Sequence, residues 1–142
     1  MFRLVCHACL QWCCEDEATP ASERTLAWAI DGSDLHVPSL WPWEMMNAVA
    51  IAVRRGRIAA ERAGQFFAQI ATFNFRIALA PAIADFDRLS LLASRHRLTA
   101  YDSAYLDLAK RLALPLATLD EDLKKGAISE EVIVLSGTDS ST

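Results

Sequence analysis

Three carboxylates in this chain sit where their surroundings give them work. Glu44 lies in SLWPWEMMNAVAIAV, where only Glu44 and Asn47 are polar between Leu40 and Val53. A helix that is apolar on every side is expected to be buried. A buried carboxylate is costly unless it is paired or holds a metal, and no Lys or Arg follows Glu44 before Arg54. Asp102 opens a helical pattern in TAYDSAYLDLAKRL, and Asp120 closes the apolar run LPLATLD. Acids that converge can hold a divalent cation or carry a proton. Each also has an ordinary reading. Glu44 suits the first turn of a helix through the dipole. Thr99 and Asp102 have capping-box spacing. Asp120 suits the N-cap of a helix starting at Glu121. Asp102 and Asp120 fall at one edge of the expected sheet, which favours a shared role. Asp107, Glu121 and Asp122 read as solvent-facing charges.

The elements that must position these acids follow from pattern. RLVC (3–6) is a short apolar strand, and Ala8 to Cys14 can begin a helix. Glu15, Asp16 and Glu17 read as an acidic loop. Thr19 caps a helix from Pro20 to Ile30, because Pro suits the first helical position. A turn at Asp31-Gly32-Ser33-Asp34 leads to a strand over 35–37. Helices are expected over 39–53 with Ser39 as cap, over 59–72, over 83–94, over 101–112, and over 121–127 with Gly126 near its end. Further strands are expected over 76–80, 114–118 and 131–135. Short apolar strands alternating with helices predict an α/β domain with a mostly parallel sheet. Ligands of such sheets gather beyond the carboxyl ends of the strands.

Composition bounds the remainder. The chain has 142 residues, 53% of them hydrophobic, which suits one domain over 1–135 and a flexible tail over 136–142. No apolar run is long enough to span a membrane, and the N-terminus is too polar for a secretory signal, so a cytoplasmic protein is expected. The net charge of −4 argues against binding nucleic acid by bulk charge. Local basic runs remain at Arg54, Arg55, Arg57 and Arg62, and at Arg95, His96 and Arg97. Cys6, Cys9, Cys13 and Cys14 lack the second cluster of a zinc site and read as buried reduced thiols. The chain has no G-x-G-x-x-G, P-loop or G-x-S-x-G motif, so cofactor-nucleotide and serine-hydrolase readings have no support.

The segments LVCHACLQWCCEDEATPASE, VPSLWPWEMMNAV, TAYDSAYLDLA and LPLATLDEDL, in this order, resemble the PIN-domain ribonucleases. The layout is most similar to VapC-type toxins of toxin–antitoxin pairs. The resemblance implies a three-layer α/β/α fold with a mainly parallel sheet of four to five short strands. It implies four acids around Mg²⁺ or Mn²⁺, hydrolysis of RNA phosphodiester bonds, a cognate VapB-like antitoxin and a homodimer. Glu44, Asp102 and Asp120 match the second, third and fourth acids. At the first place stands His7. Asn47 would orient Glu44, and Ser103 and Thr118 would assist by hydrogen bonding. Arg54, Arg55 and Arg57 would touch RNA or a partner, and Trp41-Pro42-Trp43 and Phe66-Phe67 would offer contact surface. Mg²⁺ wants hard oxygen ligands, so His7 weakens the site, moves it to a softer metal, or closes it. In the last case the imidazole bonds Asp102 or Asp120, and the chain binds RNA or a partner without cleaving.

Overall fold

Each parallel strand must be reached by a crossover, and the alternation of apolar strands with helices supplies those crossovers. A computed structural model describes residues 2–14 and 18–135. The acidic run 15–17 and the tail 136–142 lie outside the described residues. The strands are β1 (Arg3–Cys6), β2 (Asp34–Val37), β3 (Asn74–Ile77), β4 (Leu116–Ala117) and β5 (Val134–Leu135). The helices are α1 (Pro20–Ile30), α2 (Trp41–Arg54), α3 (Ala60–Ile70), α4 (Phe86–His96), α5 (Ala100–Leu112) and α6 (Glu121–Ser129). Short 3₁₀ segments cover Ala8–Gln11 and Ile83–Asp85. All pairings in the order β3-β2-β1-β4-β5 are parallel. The expected three-layer fold with a five-stranded sheet is present.

Local signals explain several boundaries. Thr19 and Ser22 form a reciprocal capping box, with Pro20 in the first turn of α1. Thr99 caps α5 and Asp120 caps α6 through their side chains. Leu4, Val5, Leu35, Leu106, Leu116 and Leu123 are wholly buried and form the centre of the core. α5 lies against β1, β2 and β4 and also meets α4 and α6.

The structure corrects four expectations. β3 lies earlier than expected, because pairing Asp34↔Asn74 through Val37↔Ile77 uses the full length of β2. Ser39 does not cap α2. Leu40 takes that position without a side-chain bond, and Pro42 in the first turn starts the helix. α2 buries only the stripe Trp41, Met45, Val49 and Ala52, while Trp43 and Met46 face solvent. Asp107 is buried, with its carboxylate between Arg88 and Arg111.

A second charged cluster locks α4, α5 and α6 together. Glu130 accepts from Lys110 Nζ (2.6 Å) and Arg95 Nη1 (3.2 Å), and pairs with His96 Nε2 (2.6 Å). Gly126 lets the helices approach here, since a Cβ on it would meet His96 Cβ at 3.3 Å. These partners hold the Glu130 carboxyl at about 2, well below the usual carboxylate range, with the Lys110 and His96 hydrogen bonds as the largest causes. A depressed folded value stabilises at pH above the unfolded value and is lost as pH falls through the folded one. Glu130→Gln is expected to cost roughly 2 kcal/mol near pH 6, discounted for the half-exposed Arg95 and Lys110. Urea unfolding followed at several pH values checks this. The gap between the two proteins should narrow as pH falls from about 5 toward 2.

Candidate active site

The site is built from the level ends of two strands. Cys6 pairs with Ala117, and the His7 N–H donates to the Ala117 carbonyl at 2.9 Å. This places His7 and Thr118 side by side at the carboxyl edge of the sheet. His7 Nδ1 lies 2.7 Å from Thr118 Oγ1, and Nε2 lies 3.4 Å from Asp102 Oδ1. Thr118 Oγ1 also accepts the Asp120 N–H at 3.1 Å.

The cap of α5 delivers Asp102. Its N–H donates to Thr99 Oγ1 at 3.0 Å while its carboxylate turns to His7. Residues three apart share a helix face, so Tyr105 follows Asp102 into the site. The Tyr105 ring meets His7 edge-on, with centroids 4.8 Å apart. Its hydroxyl donates to Glu44 Oε1 at 2.8 Å. Asp120 is linked through Thr118, and its Oδ1 accepts the Leu123 N–H at 2.8 Å, as the capping reading required. Beneath the site, Trp41 Nε1 donates to Cys9 Sγ at 3.2 Å.

Burial sets the electrostatics. It raises the Glu44 carboxyl above its usual value, and the nearby Asp102 charge adds to this. The Tyr105 hydrogen bond and the His7 charge act the other way. Burial pushes the Tyr105 phenol far up, helped by Cys9 and Glu44, so it remains a donor. Burial likewise raises the Cys9 thiol, which suits a packing role.

Of the residues singled out in the sequence, the structure gathers His7, Glu44, Asp102 and Thr118, with Asp120 adjoining. Ser103 is buried, but its hydroxyl donates to the Ala100 carbonyl at 2.8 Å and is spent on the helix. Asn47 is exposed, and Tyr105 orients Glu44 in its place. Arg54, Arg55 and Arg57 are exposed beyond the far end of α2. At 1.5 Å per residue, Arg54 is about 15 Å along the helix from Glu44. Trp41 is buried and stacked on Phe75, whereas its neighbour Trp43 is 74% exposed. Tyr105 is the site residue that sequence reading missed. Its signal was the three-residue step from Asp102 in TAYDSAY.

The arrangement does not fit a hard divalent cation. Mg²⁺ takes six oxygen ligands in near-octahedral order. Here Glu44 accepts the Tyr105 hydroxyl, Asp102 faces an imidazole, and one Asp120 oxygen caps a helix. Among the described residues, no group of three or more His, Cys, Asp or Glu side chains could hold a metal ion.

Tyr105→Phe removes the donor that opposes the burial of Glu44. The Glu44 carboxyl should then titrate at still higher pH, which a side-chain carbon NMR titration would read. Stability should fall by about 1 kcal/mol, the usual net worth of such a bond. An unmoved Glu44 would show that the phenol does not hold it.

Comparison with known proteins agrees with this architecture. The family model for the PIN domain matches residues 8–128, beginning one residue after His7. Ribonuclease VapC3 of Pyrobaculum aerophilum is 29% identical over 115 residues, covering 76% of this chain and 80% of that protein. The crystal structure of PAE2754 from Pyrobaculum aerophilum superposes with a TM-score of 0.67 at 20% identity, covering 94% of this chain and 87% of that one, a likeness of fold. With most of its length matched by the family model, the chain belongs to the PIN-domain family.

Proposed function

We propose that this chain is a VapC-like endoribonuclease acting on RNA phosphodiester bonds, with activity lowered by His7. The observation that carries this reading is the grouping of Glu44 and Asp102 about Tyr105 and His7, with Asp120 adjoining, at the carboxyl edge of the parallel sheet. The similarity to a VapC ribonuclease supports RNA as the substrate class. The cofactor this reading implies is Mg²⁺ or Mn²⁺, with Glu44, Asp102 and Asp120 as its donors. As placed, those donors do not form its shell. The chain's own contribution is positional. Glu44 is half-buried and oriented by Tyr105, so it is placed to take a proton from water or return one. Thr118 orients His7, which faces Asp102.

Cleavage of single-stranded RNA in Mg²⁺ or Mn²⁺ tests the reading. The natural protein should cut slowly, and only above millimolar metal. His7→Asp should raise the rate at least about tenfold, since ligand-set changes of this kind act on that scale. Adding Asp102→Asn should abolish the gain. A second reading, a module that binds without cleaving, draws on the protein hydrogen bonds already made by the site's donors. RNA bound but uncut by both forms would favour it.

The same reading brings partners. A VapB-like antitoxin would find Trp43 and Met46 exposed on the helix that carries Glu44. A second copy of the chain would cover the groove of about 690 Å³ lined by Leu40, Leu79, Phe86 and Tyr101. Leu79 is 94% exposed there and Phe86 53%, surface that a monomer rarely leaves open. No helix among the described residues is long and apolar enough to cross a membrane, and a cytoplasmic location suits an RNA substrate. Light scattering on a sizing column should find a dimer that Phe86→Glu converts to monomer. A natural protein already monomeric at high concentration would remove the homodimer.

A further inference from the structure

We infer that the His7 imidazole stands in the ion's place, so that the site keeps its shape without a divalent cation. The inference rests on the ribonuclease reading for which ion is replaced.

The ring reaches Asp102 directly, Glu44 through Tyr105, and the backbone of Asp120 through Thr118. Nε2 faces Asp102 at 3.4 Å. The ring edge packs on Tyr105, whose hydroxyl holds Glu44. Nδ1 meets Thr118, whose oxygen takes the Asp120 N–H. A cation among the carboxylates would tie the same elements together.

One hydrogen bond and one ion-pair contact also set the ring's nitrogens against a metal. A neutral imidazole has one N–H and one acceptor nitrogen. Asp102 offers only carboxylate oxygen, so the hydrogen belongs on Nε2, because a lone pair there would face a lone pair. Nδ1 is then the acceptor, and the Thr118 hydroxyl donates to it at 2.7 Å. Nδ1 cannot turn to a metal without losing the Thr118 hydrogen bond, and Nε2 already faces Asp102 in an ion-pair contact at 3.4 Å. The first ligand position is thereby filled by a group that cannot serve as a ligand in this orientation.

Mn²⁺ alone, titrated into the full chain by calorimetry, is the test. The natural protein should show no saturable site up to millimolar Mn²⁺, and its melting temperature should not move. His7→Asp should gain a site at least about tenfold tighter, the scale on which ligand identity tunes such ions. It should also melt lower without Mn²⁺ and recover with it. Saturable binding to the natural protein, within about threefold of His7→Asp and lost in Asp102→Asn, would overturn the inference. A readout independent of whether His7→Asp folds is the long-range proton–nitrogen spectrum of the natural protein. The Nε2–H tautomer, unchanged by Mg²⁺, supports the inference. The Nδ1–H tautomer, or an Nε2 resonance shifted by Mg²⁺, contradicts it. RNA cleavage by the same proteins is scored separately. If His7→Asp binds Mn²⁺ but cuts no RNA, the ribonuclease reading fails and this inference stands. If the natural protein binds Mn²⁺ tightly and cuts, the inference fails and the reading stands.

Discussion

A wholly buried phenol governs this molecule. Tyr105 has no solvent exposure, yet its hydroxyl must be satisfied, because an unpaired buried hydroxyl costs a few kcal/mol. Glu44 is the acceptor. That one bond ties α5 to α2, and the ring edge on His7 ties both to the end of β1. The bond also explains how a half-buried carboxylate is tolerated on a helix that offers it no cation. The same contact therefore stabilises the core and aims a titratable group at the sheet edge.

Strand register does the rest of the positioning. Cys6 and Ala117 are paired, so the next residues on each strand, His7 and Thr118, emerge together. In a parallel sheet no hairpin could arrange this. The level ends depend on the long connection between β1 and β4, whose last helix, α5, packs against both strands. Register thus decides where these two side chains stand. Thr118 bonds the His7 ring, and the Thr99 cap delivers Asp102 to its other side.

Much of this was legible in the sequence, for reasons that are local. Strand runs such as RLVC and caps at Thr19, Thr99 and Asp120 declare themselves within a few residues. Four segments in order, three of them holding Glu44, Asp102 and Asp120, carried the resemblance to the family, and the family match bears out the membership. What stayed hidden depends on partners distant in sequence. Glu44 looks to Asn47 if only its own helix is read, but its partner is 61 residues away. Asp107 looks like a surface charge until α4 brings Arg88 to it. β3 slips because its ends are set by β2 and not by its own apolar run.

The error over α2 is the most informative of these. Its sequence is apolar on nearly every side, and that pattern predicts burial on every side. The structure buries one stripe and leaves Trp43 and Met46 in solvent, beside Glu44. Large apolar side chains on an exposed helix face cost the isolated chain solubility and give it no packing in return. The wide groove along Leu79, Phe86 and Tyr101 repeats this at the other side of α5's first turn. The hydrophobic pattern therefore covers both residues that pack in the core and residues that stay at the surface. A periodicity read from one sequence cannot separate them, because both ask for the same residue types. Only the position of the helix against the sheet divides the stripe that packs from the stripe left exposed.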